Sequence, residues 1–101
     1  MKTTEGSNID GSWHVEIPID GVLDLHSFSP KQVKELVYDY LDACQQRGVW
    51  IVRIIHGKGT GTLKRTVHSL LSRHPAVIEF YLDNNLFSGD GATIVRLRKL
   101  P

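Results

Sequence analysis

Cysteine is nearly absent from this sequence: Cys44 is the single cysteine among 101 residues. One thiol excludes an internal disulfide and any multi-cysteine metal site, which favours a reducing, cytoplasmic location. The chain also lacks an apolar run of the roughly 18–20 residues needed to cross a bilayer, and its first residues lack the apolar segment of a signal peptide. We therefore expect a cytoplasmic protein without a membrane partner.

Two nucleotide-binding motifs are missing as well. The chain has neither the G-x-x-x-x-G-K-[ST] loop of many ATPases nor the G-x-G-x-x-G fingerprint of dinucleotide-binding folds. We therefore expect no ATP and no dinucleotide cofactor.

Acidic residues are absent from residues 43–78, although the whole chain is almost neutral, with 12 Lys and Arg residues against 11 Asp and Glu. Such a segment is typical of a phosphate-binding surface. It is equally typical of a solvated face whose counter-charges come from elsewhere in the fold. The basic residues of the segment are Arg47, Arg53, Lys58, Lys64, Arg65 and Arg73.

The hydrophobic pattern predicts one domain over residues 13–101. Residues 1–12 are polar and predict a flexible leader. Alternating apolar and polar residues over 13–21 predict an extended N-terminal arm that lies on the domain. Residues 22–26 then predict a short strand.

The first helix has clear signals at both ends. Ser29 is a good N-cap, Pro30 suits the first helical position, and Gln32 completes a capping box. Gly48 is placed to end the helix. Apolar residues at helical spacing predict one buried face: Val33, Leu36, Val37, Tyr40, Leu41 and Cys44.

The next segments predict a strand, a helix and two more strands. Residues 49–55 are nearly all apolar, which is typical of a strand covered on both faces, with Trp50 in the core and Arg53 at a partly open position. A second helix begins after Thr60 or Thr62 as its cap and ends before Pro75. His68 and His74 are six residues apart on that helix, and we expect both to have surface or packing roles.

The element order is therefore β-α-β-α-β-β, with strands over residues 77–82 and 92–100 at the end. Two β-α-β units place three strands in parallel, whereas the last two strands are too close in sequence for a helical crossover. We predict a two-layer α/β sandwich with a mixed four-stranded sheet and an antiparallel last strand. Whether the last two strands are neighbours remains open.

This topology brings three polar segments to one edge of the sheet, where ligands of parallel sheets bind. The segments are Asp24 with His26, His56 with the glycine loop (residues 57–61), and residues 88–91. Glycine backbone amides and a helix N-terminus are suited to binding an anion, although a tight turn alone also requires glycine. The candidate phosphate-binding residues are Gly57, Lys58, Gly59, Thr60, Gly61, Lys64, Arg65, Gly89 and Gly91.

Three stretches, VLDLHSF, VRIIHGKGTGTLKRTV and SGDGATIVRL, together resemble the small MutS-related (Smr) domain family. The resemblance covers about residues 20–98, with Ser27 in place of a family glycine. It implies the same two-layer sandwich and a nucleic-acid partner, either DNA or RNA. It also implies an endonuclease activity, of the kind that acts in DNA repair. The alternative is a module without catalysis that binds nucleic acid or associates with the ribosome.

In a nuclease of this kind, we expect His26 and His56 to be the acid–base pair, because imidazoles exchange protons near neutral pH. Asp24 orients an imidazole or helps to hold one divalent metal ion, Mg²⁺ or Mn²⁺. Two histidines suffice to cleave RNA, whose 2′-OH is the nucleophile, whereas DNA cleavage requires an activated water, most easily on a metal. The sequence contains no carboxylate cluster of the two-metal type and leaves the oligomeric state open.

Overall fold

The structure is a computed structural model that describes residues 17–26, 28–57, 61–83 and 91–100. Its elements are β1 (Val22–Asp24), α1 (Pro30–Gln46), β2 (Ile51–Ile55), α2 (Thr62–Arg73), β3 (Val77–Leu82) and β4 (Ala92–Leu97). This is the predicted order. No helix within these ranges is long and apolar enough to cross a membrane.

The four strands form one mixed sheet in the order β1-β2-β4-β3. β1 pairs with β2 in parallel, and β4 runs antiparallel to both β2 and β3. The predicted sheet with an antiparallel last strand is therefore confirmed. The open question about neighbours is also answered, because β4 lies between β2 and β3.

Helix α1 begins and ends at the predicted signals. The backbone N–H of Ser29 donates to Oε1 of Gln32 at 2.9 Å, as expected for a capping box. Gly48 has a φ of 77°, the left-handed conformation that glycine adopts most easily after a helix. All six residues of the predicted apolar face are buried.

The hydrophobic core lies between the two helices and one face of the sheet. Leu23 is buried between exposed neighbours in β1, and Val52 and Ile54 are buried in β2. The other face, which we call the open face, exposes Ile51 at 53% and carries an ion pair between Arg53 and Asp83. β2 is therefore covered on one face only, and its other face is partly open at Arg53, as the charge of that residue predicts.

Two local predictions also need correction. Trp50 precedes β2 and is half-buried, so it is not a core strand residue. Gly61, with a φ of 85°, is the N-cap of α2, and Thr62 is the first helical residue. A positive φ favours glycine over threonine at this position, so the backbone decides the cap. The alternative cap, Thr60, lies outside the described residues.

The described part of the N-terminal arm is attached to helix α1. Ile17 and Ile19 pack against the core. The Tyr40 hydroxyl accepts a hydrogen bond from the Gly21 N–H at 3.0 Å and lies 3.2 Å from the Val22 carbonyl oxygen. Burial is the main reason that the pKa of Tyr40 is raised to about 12. The leader, residues 1–12, and arm residues 13–16 lie outside the described residues.

Candidate functional site

Asp24 and His26 form an exposed hydrogen-bonded pair where β1 ends. Nδ1 of His26 lies 2.6 Å from Oδ1 of Asp24, and the backbone N–H of His26 donates to the same oxygen at 3.0 Å. The carboxylate only accepts, so the ring proton is on Nδ1. Nε2 of His26 has no hydrogen-bond partner among the described residues, and the side chain is 72% exposed. This nitrogen is therefore available to a ligand.

The Asp24 carboxylate is ionised more readily than usual. Partial burial raises its pKa, but the side-chain and backbone hydrogen bonds from His26 and the charge of that ring outweigh this effect. The net result is a lowered pKa for Asp24. An ionised carboxylate at this position keeps the imidazole in one orientation and in the Nδ1–H tautomer.

His56 lies at the same sheet edge but on the other face. Asp24 pairs with Ile55, the residue before His56, in the register between β1 and β2. The two strands therefore end at the same edge of the sheet, as the sequence predicts. Asp24 shares the open face with Ile55, whereas His56 continues the buried row of Val52 and Ile54. Within the described residues, no hydrogen bond or ring contact joins the two imidazoles.

Both ring nitrogens of His56 have partners inside the protein. Nδ1 lies 3.1 Å from the Gly57 carbonyl oxygen, and Nε2 lies 2.9 Å from the Thr93 hydroxyl. The residue is 6% exposed. Burial lowers the pKa of His56, an effect that the Gly57 hydrogen bond opposes and the charge of Lys64 reinforces.

A second histidine, His68 on α2, contacts the same hydroxyl. Its Nε2 lies 2.7 Å from Thr93 Oγ1, and its ring lies nearly perpendicular to that of His56 at a centroid distance of 6.1 Å. The ring also packs on Phe80. Burial lowers the pKa of His68, and the charges of His56 and Lys64 lower it further.

Sequence reasoning gave His68 only a surface or packing role and did not select Thr93. The available signal was Thr93 itself, which lies among the apolar residues of β4 and is fully buried. A buried hydroxyl needs a hydrogen-bond partner. His74, in contrast, stacks on Tyr38 at the far end of α2, which agrees with the predicted packing role.

The partners of these two imidazoles determine where their protons lie. A carbonyl oxygen only accepts, so Nδ1 of His56 carries a proton and donates to Gly57. In the neutral ring Nε2 is then an acceptor, and the Thr93 hydroxyl donates to it. The remaining lone pairs of that hydroxyl accept from Nε2–H of His68. The result is a continuous chain of hydrogen bonds from His68 through Thr93 and His56 to Gly57.

The base of the glycine loop is joined to the start of β4. The backbone N–H groups of His56 and Gly57 both donate to the Gly91 carbonyl oxygen at 2.9 Å. Gly57 has a φ of 83°, a backbone conformation that residues other than glycine rarely adopt. The structure thus brings Gly57 and Gly91 together. Four other predicted phosphate-binding residues lie outside the described residues: Lys58, Gly59, Thr60 and Gly89.

The first turn of α2 offers an electropositive surface next to this loop. Gly61 caps the helix without a side-chain hydrogen bond, and the turn contains no acidic residue. Lys64 is half-buried and Arg65 is exposed on this turn. The helix dipole favours an anion at such a helix start.

A cavity of about 340 Å³ lies between the beginnings of α1 and α2. This volume is in the range of small-ligand sites, about 300–1,000 Å³. Its apolar surface includes the ring of Phe28, two residues after His26. The lining residues are Phe28, Pro30, Gly61, Thr62, Leu63, Lys64 and Thr66.

Comparison with known proteins identifies the family. The model of the Smr domain matches residues 23–98 of the chain. This chain belongs to the Smr domain family. The resemblance seen in the sequence is therefore confirmed. In the described residues of this Smr domain, no group of three or more His, Cys, Asp or Glu side chains is arranged to hold a metal ion.

Relatives of this Smr domain carry two kinds of name. A protein of Clostridium novyi (strain NT) named "Endonuclease MutS2" is 37% identical over 76 residues, which are 75% of this chain and 10% of that protein. A protein of Tolumonas auensis named "Ribosome rescue factor SmrB" is 30% identical over 80 residues, 79% of this chain and 46% of that protein. The Smr domain thus spans only a small part of its MutS2 relatives.

Two solved structures confirm the fold. The Smr domain of Thermus thermophilus MutS2 superimposes with a TM-score of 0.69 at 31% identity, covering 76% of this chain and 96% of that one. YdaL, a stand-alone small MutS-related protein from Escherichia coli, gives a TM-score of 0.70 at 26% identity, covering 83% and 69%. The α/β sandwich is therefore shared by a domain of a larger protein and by a stand-alone protein.

Proposed function

We propose that this Smr domain binds nucleic acid at the edge where β1 and β2 end and cleaves a phosphodiester bond there. The observation that carries the proposal is the exposed Asp24–His26 pair, whose 2.6 Å hydrogen bond leaves Nε2 available. A histidine oriented by a carboxylate is a common general base. The names of the MutS2 relatives support a nuclease activity.

In this mechanism His26 moves the proton. Nε2 accepts a proton from the attacking hydroxyl, which is the 2′-OH of RNA or a water molecule, as the oxygen forms its bond to phosphorus. The ring then carries protons on both nitrogens, and the Asp24 carboxylate stabilises that charge across the Nδ1–H hydrogen bond. A water molecule donates a proton to the oxygen of the leaving group as its bond to phosphorus breaks, and His26 then returns its extra proton to solvent.

Phosphate binding is assigned to the glycine loop and the start of α2. The first turn of α2 contains no acidic residue, its helix dipole favours an anion, and Lys64 and Arg65 add positive charge. These groups stabilise the negative charge that develops on the phosphate oxygens. From the sequence, Lys58, Gly59 and Thr60 are included in this binding surface.

For His56 we propose a positioning role in place of the predicted acid–base role. Both of its ring nitrogens have protein partners, and burial lowers its pKa. A proton acceptor for substrate needs a nitrogen within hydrogen-bond distance of the reacting group. The role left to His56 is to hold the Gly57 carbonyl at the base of the loop.

The cleavage experiment compares two substrates under three conditions. Purified protein is incubated with supercoiled plasmid and with structured RNA in Mg²⁺, Mn²⁺ or EDTA. Cleavage of RNA in EDTA supports the mechanism in which the 2′-OH is the nucleophile. Nicking of plasmid only with a metal ion supports the mechanism in which the nucleophile is a metal-activated water. Cleavage of neither substrate under any condition contradicts the nuclease proposal.

A second candidate function is a ribosome-associated binding module without catalysis. The similarity to proteins named "Ribosome rescue factor SmrB" favours it. The same basic surface would then bind ribosomal RNA, and Asp24 and His26 would be dispensable. Sedimentation with ribosomes that is unchanged by His26→Ala, together with no cleavage, would support this function over the first.

A further inference from the structure

We infer that Thr93 and His68 are positioning residues, which fix the proton arrangement of His56 and thereby hold the Gly57 carbonyl at the base of the glycine loop. The inference deepens the proposed function and rests on it in one respect, since it takes the loop as the phosphate-binding element. The hydrogen-bond chain itself does not depend on that assignment.

The first observation is that one hydroxyl serves two imidazoles. Thr93 Oγ1 lies 2.9 Å from Nε2 of His56 and 2.7 Å from Nε2 of His68. Thr93 is 0% exposed, so its hydroxyl has no access to bulk water. A hydroxyl has one proton and two lone pairs, so it can donate to one ring and accept from the other.

The second observation is the direction of the chain. Gly57 accepts from Nδ1 of His56, so this ring needs a donor at Nε2, and Thr93 is that donor. The lone pairs of the Thr93 hydroxyl in turn need a donor, which is Nε2–H of His68. Each group thus satisfies the next, and His56 and His68 are in opposite tautomers: Nδ1–H in His56 and Nε2–H in His68.

The third observation links the chain to the loop. The Gly57 carbonyl belongs to the peptide unit that leads into the glycine loop, and a peptide unit is planar. Holding its oxygen therefore fixes the direction in which the chain leaves β2. The His56 and Gly57 N–H groups are fixed on the other side by the Gly91 carbonyl. Removing the Thr93 hydroxyl loosens one of these two attachments.

Burial and nearby positive charge favour the neutral form of both rings. Burial is the main cause of the lowered pKa of both histidines, the charge of Lys64 on α2 lowers both further, and the charge of His56 lowers the pKa of His68. The other facing groups, Thr93 on β4 and Phe80 on β3, carry no charge. Neutral rings are required for the alternating donors and acceptors of this chain.

The first experiment reads the tautomers directly by ¹⁵N NMR of the histidine side chains near pH 8. We expect the Nδ1–H form for His56 and the Nε2–H form for His68. Finding the same tautomer in both rings would overturn the inference, whatever the activity of the protein. This result is independent of nucleic-acid binding.

The second experiment compares Thr93→Val with Thr93→Ser. Valine keeps the shape and removes the hydroxyl, whereas serine keeps the hydroxyl. We expect Thr93→Val to shift the ¹⁵N signals of both histidines, to speed amide hydrogen exchange at Gly57, and to weaken binding of a single-stranded oligonucleotide by about five- to tenfold, because a buried acceptor loses its partner. Thr93→Ser should restore all three. Unchanged exchange at Gly57 and unchanged affinity in Thr93→Val would refute the inference.

The third comparison uses a matched pair of histidine variants. His68→Phe keeps a ring against Phe80 and removes the donor to Thr93. It should therefore shift the ¹⁵N signals of His56, speed exchange at Gly57 and weaken oligonucleotide binding, even if Thr93→Val folds poorly. His74→Phe makes the same change at the far end of α2 and should leave Gly57 exchange and affinity unchanged. If wild type binds no nucleic acid, the proposed function fails, and the tautomers and Gly57 exchange still decide the inference.

Discussion

Replacing the two members of the exposed pair separately should distinguish a proton-transfer site from a metal site. His26→Ala removes the imidazole that we assign as general base. Asp24→Asn keeps the size of the side chain and an oxygen for the His26 backbone N–H, but removes the negative charge. Both side chains are largely solvated, at 72% and 44% exposure, so neither change should unfold the domain.

The expected magnitudes differ widely. Loss of a general base lowers a cleavage rate by about 10²–10⁴-fold. The Asp24 carboxylate acts only through His26 in our mechanism, and an exposed charge pair is worth at most about 1 kcal/mol, which corresponds to about fivefold. We therefore expect Asp24→Asn to cut about fivefold more slowly than wild type, and His26→Ala to be slower still by at least one further order of magnitude.

The assay is initial-rate cleavage of structured RNA and of supercoiled plasmid, with thermal unfolding of each variant as a check on folding. His74→Ala is the control, since that ring lies at the other end of α2. His68 is unsuitable as a control because it contacts Thr93. If Asp24→Asn is as inactive as His26→Ala and wild type is inactive in EDTA, Asp24 is a metal ligand. If both variants cut at the wild-type rate, the site is elsewhere.

Three other results are expected. Oligonucleotide affinity should fall with salt with a log–log slope of about −0.7 to −0.9 per phosphate contacted, and Lys64→Ala with Arg65→Ala should weaken binding to all sequences alike; a slope near zero would contradict this. If a base stacks on Phe28 in the cavity, Phe28→Leu should weaken the binding of single strands by about tenfold and leave the binding of an abasic strand unchanged. Tyr81→Leu is the control and should change the binding of neither strand. The free energy of unfolding, measured by urea titration, should be highest above pH 6.5. As the pH falls below this, His56, His68 and His74 gain protons in the unfolded state first, because their pKa values are lowered in the folded state. Stability therefore falls by at most about 1.4 kcal/mol per pH unit and histidine, until the lowered folded pKa is reached. A flat profile from pH 7 to 5 would exclude these lowered pKa values.

Local signals were sufficient to predict the elements of the fold. The capping box at Ser29 and the glycine at position 48 act within one helix, so their effect is visible in a few consecutive residues. The position of β4 between β2 and β3 depends on contacts between segments far apart in sequence. No local pattern reports that choice, and the sequence left it open.

The candidate site was predicted at the level of the sheet edge and not at the level of individual contacts. Parallel strands were enough to bring Asp24, His26 and His56 to one edge. The face on which each lies depends on the register between β1 and β2, and a shift of one residue exchanges the faces. The contact between His68 and Thr93 joins a helix to a strand. The place of Thr93 among apolar residues signals that its hydroxyl needs a partner, but it does not say which residue that partner is.

The place of β1 in the sheet has a consequence for temperature dependence. This strand has three residues, lies at the sheet edge and pairs with β2 within the described part of the chain, and the Tyr40 hydroxyl is bonded to the Gly21 N–H at its start. Short edge segments open with a free energy below that of global unfolding. Asp24 and His26 are attached to this segment, whereas β2, β4 and β3 pair with one another without it. Warming should therefore disrupt the proposed site through local opening of one strand before the core melts, and Tyr40→Phe should lower the temperature at which this begins.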